Sequence, residues 1–451
     1  MNRVSPSCEE LTVEANHPTP TRREFLGALP VALAVSHAFG GGSHVDSFRE
    51  WLRPHVVQPE TLKLFLDPTA KVWARFDPTF GYLLRNAFVR DGVDGCHTLA
   101  RYETTGQRKQ LHFADQSCRI HTYGDSFTQG HQVSDGETWQ EVLAAHFCEP
   151  IRNFGIGGFG VYQAYRRLIG IEQSDMQAKY LIFNIWGDDH LRSIYAWRWL
   201  SFPANVLASM SGTMFHANPW VYARLSPNGE LIEKPNLCPT EQSLEQLGDL
   251  DFLVDTFSKD EIAQLLFAQS TGKIFDSEIF TATASLAGVA IEEVDREEKV
   301  RATANRILHG YAIRVGMHVI DRLHAFCHQQ DRRLLILLSY PIGSVWHACN
   351  RSSFDDPDHV DWHPKSFRSH LDTRGILWVD SLPAHVAEYD TFKLTAKEYV
   401  DRYYIGHYNP KGNHFFAFAI KDQVRQWLSP PPPAYQEGPE PLIRFQGYLP
   451  G

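Results

Sequence analysis

The feature that most constrains the fold is a repeated alternation of short apolar runs and amphipathic segments after residue 118. Two runs, KYLIFNIW (179–186) and RRLLILLSY (332–340), are almost continuously apolar, as strands buried on both faces of a sheet are. Shorter strand patterns complete the set: CRIHTYG (118–124), IRNFG (151–155) and GILWVDS (375–381). Segments with helical spacing lie between them, at 137–147, 161–171 and 297–328. Strands that alternate with helices predict an α/β fold, with right-handed crossovers and a parallel sheet covered by helices on both faces.

The other segments set the expected domain organisation. Residues 39–117 are irregular, aromatic and polar, and we treat them as an N-terminal extension. Residues 118–428 carry the alternation of strands and helices, which residues 191–295 interrupt as a partly helical insertion. Residues 429–451 are rich in proline and are predicted to form an extended tail.

The first 38 residues are predicted to be a signal peptide. TRREFLGALPVALAVSHA places Arg22 and Arg23 before a short apolar run and small residues that end at Ala38. The paired arginines followed by Phe-Leu resemble the twin-arginine export signal of bacteria. We therefore expect a periplasmic or extracellular protein. No apolar run reaches the roughly 18–20 residues that a membrane span needs, so we expect no transmembrane segment in the mature chain.

Charge and cysteine content narrow the classes of partner and cofactor. The 451-residue chain has a net charge of −10 and no basic run, which argues against nucleic acid as a partner. Six cysteines follow the leader without a C-x-x-C pair, so we expect mostly free thiols and no zinc ribbon. The segment DDPDHVDWH (355–363) collects acids and histidines, but its spacing fits no particular metal geometry. We predict neither a metal nor an organic cofactor, and the oligomeric state stays open.

Polar loops follow the predicted strands at the edge where an open parallel sheet binds its ligands. GDSFTQG (124–130) places Ser126 at the start of a helix, where amides stabilise developing negative charge, although an ordinary capping serine is the alternative. NFGIGGFG (153–160) carries glycines that let a backbone amide approach a substrate oxygen closely. A serine hydroxyl needs a base to take its proton. Among 22 histidines, His407 in GHYNPKG is the candidate, because it lies in a loop just before the last helix.

These segments together resemble a known family. GDSFTQG, NFGIGGFG, WGDDH (186–190) and HYNPKGN (407–413) look like four sequence blocks of the SGNH, or GDSL, hydrolase superfamily. The resemblance covers roughly residues 119–190 and 332–428 and implies a flavodoxin-like three-layer α/β/α sandwich. It implies that Ser126 is the nucleophile and His407 the base. The oxyanion hole is then formed by the amides of Ser126 and Gly158.

Two positions depart from the family pattern. The asparagine of the third block, a donor to the oxyanion, aligns with Asp188, which can donate only when protonated. Either Asp188 is protonated, or Asn184 supplies the donor, or the hole has two members. The acid that usually stands two or three residues before the histidine is also missing. Asp401, one helical turn further back, is the candidate for orienting His407, and a dyad relying on a backbone carbonyl is the alternative.

The resemblance implies an exported serine esterase, or acyl hydrolase, that works through an acyl-enzyme. The expected substrate is a small-molecule or glycan ester, such as an acetyl group on a polysaccharide. Two other hypotheses stay open. One is an O-acyltransferase of the same superfamily that acts on a glycan, and the other is a non-catalytic carbohydrate-binding relative of the fold.

Overall fold

A five-stranded parallel sheet lies at the centre of the molecule. The computed structural model describes residues 44–210, 218–291, 294–351 and 360–432, so the predicted leader and residues 433–451 of the predicted tail lie outside the described residues. The strands are β1 (Ala74–Asp77), β2 (Gly81–Leu84), β3 (Ala87–Val89), β4 (Thr98–Ala100), β5 (Ile120–Tyr123), β6 (Arg152–Asn153), β7 (Tyr180–Trp186), β8 (Tyr222–Leu225), β9 (Leu231–Lys234), β10 (Arg333–Ser339) and β11 (Leu377–Asp380).

Helices occupy every connection between consecutive strands of the central sheet, and others precede β1 and follow β11. They are α1 (His44–Leu52), α2 (Pro59–Leu66), α3 (Ser126–Gln129), α4 (Trp139–Phe147), α5 (Val161–Glu172), α6 (Asp189–Ile194), α7 (Ala204–Met210), α8 (Leu250–Phe257), α9 (Glu261–Thr271), α10 (Ser277–Ala287), α11 (Glu297–Gln329), α12 (Ile342–Asn350), α13 (Lys365–Thr373), α14 (Leu382–Tyr389), α15 (Ala396–Tyr403) and α16 (Pro410–Trp427). The predicted α/β class, with alternating strands and helices, is confirmed.

The order of the central strands is β11-β10-β7-β5-β6. When these five strands are numbered 1 to 5 along the chain and read from β6 to β11, the order is 2-1-3-4-5. This is the order of flavodoxin-type doubly wound sheets. Each of the five apolar runs in the sequence contains one of these strands. Parallel pairing joins Ile120 to Tyr180 and Thr122 to Asn153, so β5 lies between β6 and β7. The strand order reverses at β5, and ligands bind at such a point in open sheets.

Helices cover both faces of the sheet, as the contacts of β5 show. His121 Nδ1 and the Tyr123 hydroxyl each lie 2.7 Å from Glu172 Oε1, at the end of α5. Thr122, between them, accepts a hydrogen bond of 3.1 Å on its Oγ1 from Gln140 Nε2 of α4. Since neighbouring side chains of a strand point to opposite faces, α5 and α4 lie on opposite sides. The architecture is therefore a three-layer α/β/α arrangement.

The flanking segments pack onto this core. The described residues, from 44 onward, belong to one compact unit. The extension before β5 contains two antiparallel hairpins, β1–β2 and β3–β4. The insertion combines helices with a third hairpin, β8–β9, and its α9 packs against the long helix α11. The prediction of a partly helical insertion did not anticipate that hairpin.

Two other sequence expectations concern thiols and membranes. Six cysteines lie in the described part of the chain, and all six are free: Cys96, Cys118, Cys148, Cys238, Cys327 and Cys349. Among the described residues, no helix combines the length and the apolar character that crossing a bilayer requires.

Glu172 makes several polar contacts on one face of the central sheet. Its side chain is fully buried, and besides His121 and Tyr123 it accepts from the Ala178 amide at 2.8 Å. Arg332 Nη1 lies 3.1 Å from its Oε2. The carboxylate thus balances a buried guanidinium and ties α5 to β5 and to the start of β10.

We predict that Glu172→Leu lowers the free energy of unfolding by about 3–5 kcal/mol, because it leaves the Arg332 charge buried without its partner. Urea denaturation followed by circular dichroism measures the loss. Glu50→Leu is the matched control, since it removes an exposed pair with Arg53 and should change little. Equal losses in the two variants would contradict the assignment.

Candidate active site

Ser126 is the first residue of α3, directly after the turn that ends β5. The Asp125 carboxylate caps this helix, and its Oδ1 accepts from the amides of Phe127 (2.9 Å) and Thr128 (3.4 Å). The helix ends after four residues because Gly130 takes a left-handed conformation with φ +74°. The serine is therefore held at a helix N-terminus by its own local sequence.

His407 lies in the loop between α15 and α16, and the structure brings it to Ser126. Its Nε2 is 2.8 Å from Ser126 Oγ, although the two residues are 281 positions apart. The half-buried ring lies against the rings of Phe127 (4.9 Å) and His131 (4.7 Å). Burial lowers the pKa of His407 well below its usual value, and the nearby His131 and Arg192 lower it further. The imidazole is therefore neutral, as a general base must be.

Gln132 occupies the other side of the His407 ring. Its Oε1 lies 3.1 Å from His407 Nδ1 and accepts from the His407 backbone amide at 2.9 Å. This residue was not among the sequence candidates, because its contact with His407 joins positions 275 apart and no local pattern reports it.

The expectation that Asp401 orients His407 is not met. Asp401 lies in the last turns of α15 and pairs with Lys397 on the same helix at 2.5 Å, with about a third of its side chain exposed. The helix ends at Tyr403, and the chain then turns before it reaches His407. The Asp401 carboxylate therefore lies on the outer face of α15, and Gln132 contacts His407 Nδ1 in its place.

The glycine loop after β6 packs directly on the nucleophile's helix. A Cβ at Gly155 would lie 2.3 Å from the Gln129 amide nitrogen, so this approach requires glycine. Gln129 Oε1 accepts from the Gly157 amide at 2.8 Å, and the Tyr82 hydroxyl donates to the Gly157 carbonyl at 2.6 Å. Two of these contacts link the loop to α3, and the third links it to β2.

Two backbone amides in this region, those of Ser126 and Gly158, have no hydrogen-bond acceptor among the described residues. Gly158 has φ +86°, a conformation that favours glycine. In the described part of the chain, neither its amide nor that of Ser126 donates to a protein acceptor. These are the two amides that the sequence resemblance implied as oxyanion donors.

Asp188, in contrast, is not arranged as an oxyanion donor. It pairs with Arg192 Nη2. Burial raises the pKa of Asp188, but the charges of Arg192 and Arg198 outweigh this and leave the pKa below its usual value. An ionised carboxylate only accepts hydrogen bonds. The other candidate, Asn184, donates to Thr128 Oγ1 at 3.2 Å.

Arg192 connects the loops that carry the site. Its Nη1 lies 2.8 Å from Asp189 Oδ1, 3.2 Å from the Phe159 carbonyl and 3.6 Å from Asp125 Oδ2, in addition to the Asp188 pair. Burial and the charge of Asp125 raise the pKa of Asp189 well above its usual value. One guanidinium thus fixes the helix cap, the glycine loop and the turn after β7 relative to each other.

No metal site accompanies this arrangement in the described residues. None of the groups of histidine, cysteine, aspartate and glutamate found there could hold a metal ion. Part of the acid- and histidine-rich segment singled out in the sequence, residues 355–359, lies outside the described residues. The polar groups placed around Ser126 are instead the His407 imidazole, the Asp125 carboxylate at 3.4 Å from Oγ, and backbone amides, with the Gln132 amide beyond the imidazole.

Comparison with known proteins assigns no family to the chain. No protein-family model matches it, and a search of curated proteins finds no match. The chemistry of the site is therefore inferred from its own geometry: a serine hydroxyl beside a neutral imidazole, with two backbone amides nearby.

Buried histidines predict that the fold loses stability in acid. Burial lowers the pKa of His131 to about 4, that of His363 to about 4 and that of His385 to about 3. In the unfolded chain these groups titrate near pH 6.5, so unfolding takes up protons as the pH falls from about 6.5 to 4. Each histidine then lowers the free energy of unfolding by up to about 1.4 kcal/mol per pH unit.

Urea denaturation at several pH values between about 7.5 and 4.5 measures how the free energy of unfolding depends on pH. We expect the urea midpoint to fall steadily as the pH falls. The midpoint of His363→Gln should depend less steeply on pH than that of His328→Asn, which changes an exposed histidine. A midpoint independent of pH in this window would show that these histidines are charged in the native state.

Proposed function

We propose that the chain is a serine acyl hydrolase of the SGNH type, an esterase that acts through an acyl-enzyme on Ser126. The observation that carries the proposal is the 2.8 Å contact between Ser126 Oγ and His407 Nε2 at the carboxyl end of β5. A neutral imidazole at this distance can accept the hydroxyl proton as the oxygen attacks an ester. The 2-1-3-4-5 strand order, which suits a flavodoxin-like sandwich, also supports this family.

In the acylation step, Ser126 Oγ forms a bond to the ester carbonyl carbon, and its proton passes to His407 Nε2. The carbonyl oxygen becomes an oxyanion, to which the amides of Ser126 and Gly158 donate. Each such donor is worth about 3 kcal/mol in measured oxyanion holes. The bond to the alcohol oxygen then breaks, and the leaving alkoxide takes the proton from Nε2.

In the deacylation step, His407 acts again as the base. It takes a proton from water while the water oxygen attacks the acyl carbon, and the same two amides hold the second oxyanion. The bond between the acyl carbon and Ser126 Oγ breaks, and the proton on Nε2 returns to the serine. The products are the free acid and the alcohol, and no cofactor takes part in either step.

The proposed substrate is an acyl ester that the enzyme meets outside the cytoplasm. This rests on the predicted twin-arginine leader, residues 1–38, which lies outside the described residues. Periplasmic or extracellular esters include acylated glycans, so an acetyl group on a polysaccharide is the proposed target.

We predict that a fluorophosphonate probe labels the folded protein at Ser126, and that Ser126→Ala abolishes the label. His407→Asn should slow both labelling and the hydrolysis of a simple acetyl ester by about 10⁴-fold or more, because the serine loses its base. Intact mass and peptide mapping locate the label. Ser174→Ala, an exposed serine at the end of α5, is the control and should behave as the wild type.

A folded wild-type protein that takes no label and cleaves no ester would sink the proposal and favour a binding protein. When a glycan acceptor is added to the ester donor, we expect free acid as the main product. Acylated glycan formed faster than free acid would instead make the protein an acyltransferase.

The oxyanion role of Gly158 predicts a second loss of activity. Gly158→Ala forces a side chain onto a residue with φ +86°, which shifts the loop and its amide. We expect ester hydrolysis to fall about 10²–10³-fold, as when one oxyanion donor is lost. Gly170→Ala is the matched control, because a Cβ there meets nothing within 4 Å and should leave the rate unchanged. Similar rates in both variants would remove Gly158 from the site.

A further inference from the structure

Gln132 makes an unusual set of contacts with the base. One atom, Oε1, faces two nitrogens of His407, the backbone amide at 2.9 Å and the ring Nδ1 at 3.1 Å. The two residues are 275 positions apart, so the contact comes from the tertiary fold and not from local sequence. A side-chain oxygen that engages both the backbone and the ring fixes the ring relative to its loop.

The orientation of the Gln132 amide follows from its partners. Its Nε2 donates to the Asp91 carbonyl at 3.1 Å, in the turn after β3. A backbone carbonyl can only accept and a backbone N–H can only donate. A flipped amide would place NH₂ against the His407 N–H and an oxygen against the Asp91 carbonyl. The oxygen therefore faces His407.

This orientation fixes the tautomer of His407. Oε1 cannot donate, so Nδ1 must carry the proton that bonds to it. In a neutral imidazole the other nitrogen, Nε2, then presents its lone pair to Ser126 Oγ. That is the tautomer in which the imidazole can take the serine proton.

The backbone on both sides is shaped for this contact. Gln132 itself has φ +68°, in the left-handed region that few side chains adopt. Gly406, the residue before the base, has φ +120°, and a Cβ there would lie 2.9 Å from Gln132 Oε1. Asp91 is held in turn by Thr98, whose hydroxyl donates to its carboxylate at 2.5 Å.

We propose that Gln132 is the positioning residue of the site. Although it carries no charge, its side chain fixes the tautomer of His407, and the Asp91 carbonyl of the N-terminal extension holds Gln132 in place. The assignment of a catalytic consequence rests on the proposed function. The tautomer itself does not, since it follows from the hydrogen bonds alone. The extension before β5 thus contributes directly to the site.

Because Gln132 carries no charge, its contact with His407 has a consequence for the pH at which the imidazole is protonated. The charged and titratable groups that face His407 are His131 after α3, Arg192 on α6, and Asp125 at the cap of α3, which lies 3.4 Å from Ser126 Oγ. Asp91 lies beyond His131, at 3.8 Å from its Nε2. None of these carboxylates contacts the His407 ring, so no direct ion pair favours its protonated form in the described structure.

Gln132→Glu tests the role of charge while it keeps the shape of the side chain. A carboxylate beside Nδ1 favours the imidazolium, so the apparent pKa of the base in the rate of Ser126 labelling should rise by about 1–3 units. Gln132→Met keeps the volume but lacks the acceptor, and should slow labelling at every pH without that rise. Gln116→Glu, which adds a charge at an exposed site, is the control and should leave the profile in place.

The ¹⁵N NMR spectrum of the imidazoles gives a readout that does not depend on activity. The His407 signals are identified by their loss in His407→Asn. We expect the Nδ1–H tautomer in the wild type and a mixture of tautomers in Gln132→Met. An Nε2–H tautomer in the wild type, or an unshifted pH profile in folded Gln132→Glu, would overturn the proposal. If the wild type takes no label at all, the proposed function fails, and the NMR result still decides the tautomer.

Discussion

Strand β5 lies where the strand order of the sheet reverses, and every part of the site depends on that position. The connections after β5 and β7 leave toward opposite faces of the sheet, which opens a crevice beyond their carboxyl ends. The serine follows β5, the glycine loop follows β6, and the aspartates follow β7. The loop of His407 returns to the same edge after the last crossover, which is why residues 281 positions apart form one hydrogen bond.

A second constraint is the balance of charge under this edge. Arg192 faces three carboxylates from two turns, Asp125 after β5 and the adjacent Asp188 and Asp189 after β7, and Asp188 is the residue that departs from the pattern of the resembled family. Where the resembled family has an oxyanion donor, this chain has a counterion of Arg192. In the proposed mechanism, stabilisation of negative charge on a substrate falls to backbone amides, which carry no charge that Arg192 would have to balance.

The sequence was sufficient to predict the α/β scaffold and to single out Ser126 and His407, which the structure places 2.8 Å apart, because strands and loop positions depend on local patterns. Apolar runs locate buried strands, and a helix start or a loop before a helix locates a polar group at their ends. Gln132 and the true position of Asp401 could not be found in this way. The first depends on a positive φ and on a contact across 275 residues, and the second depends on which face of α15 turns outward. Both are set by tertiary packing, which the periodicity of apolar residues in the sequence does not reveal.

The most direct test of the account is a crystal structure of the protein after reaction with a phosphonate ester. The account predicts a covalent bond from Ser126 Oγ to phosphorus, with a phosphonyl oxygen within about 3 Å of the amides of Ser126 and Gly158. The Nδ1 of His407 should remain on Gln132. Phosphorus bound to another residue, or a phosphonyl oxygen directed away from the glycine loop, would contradict it.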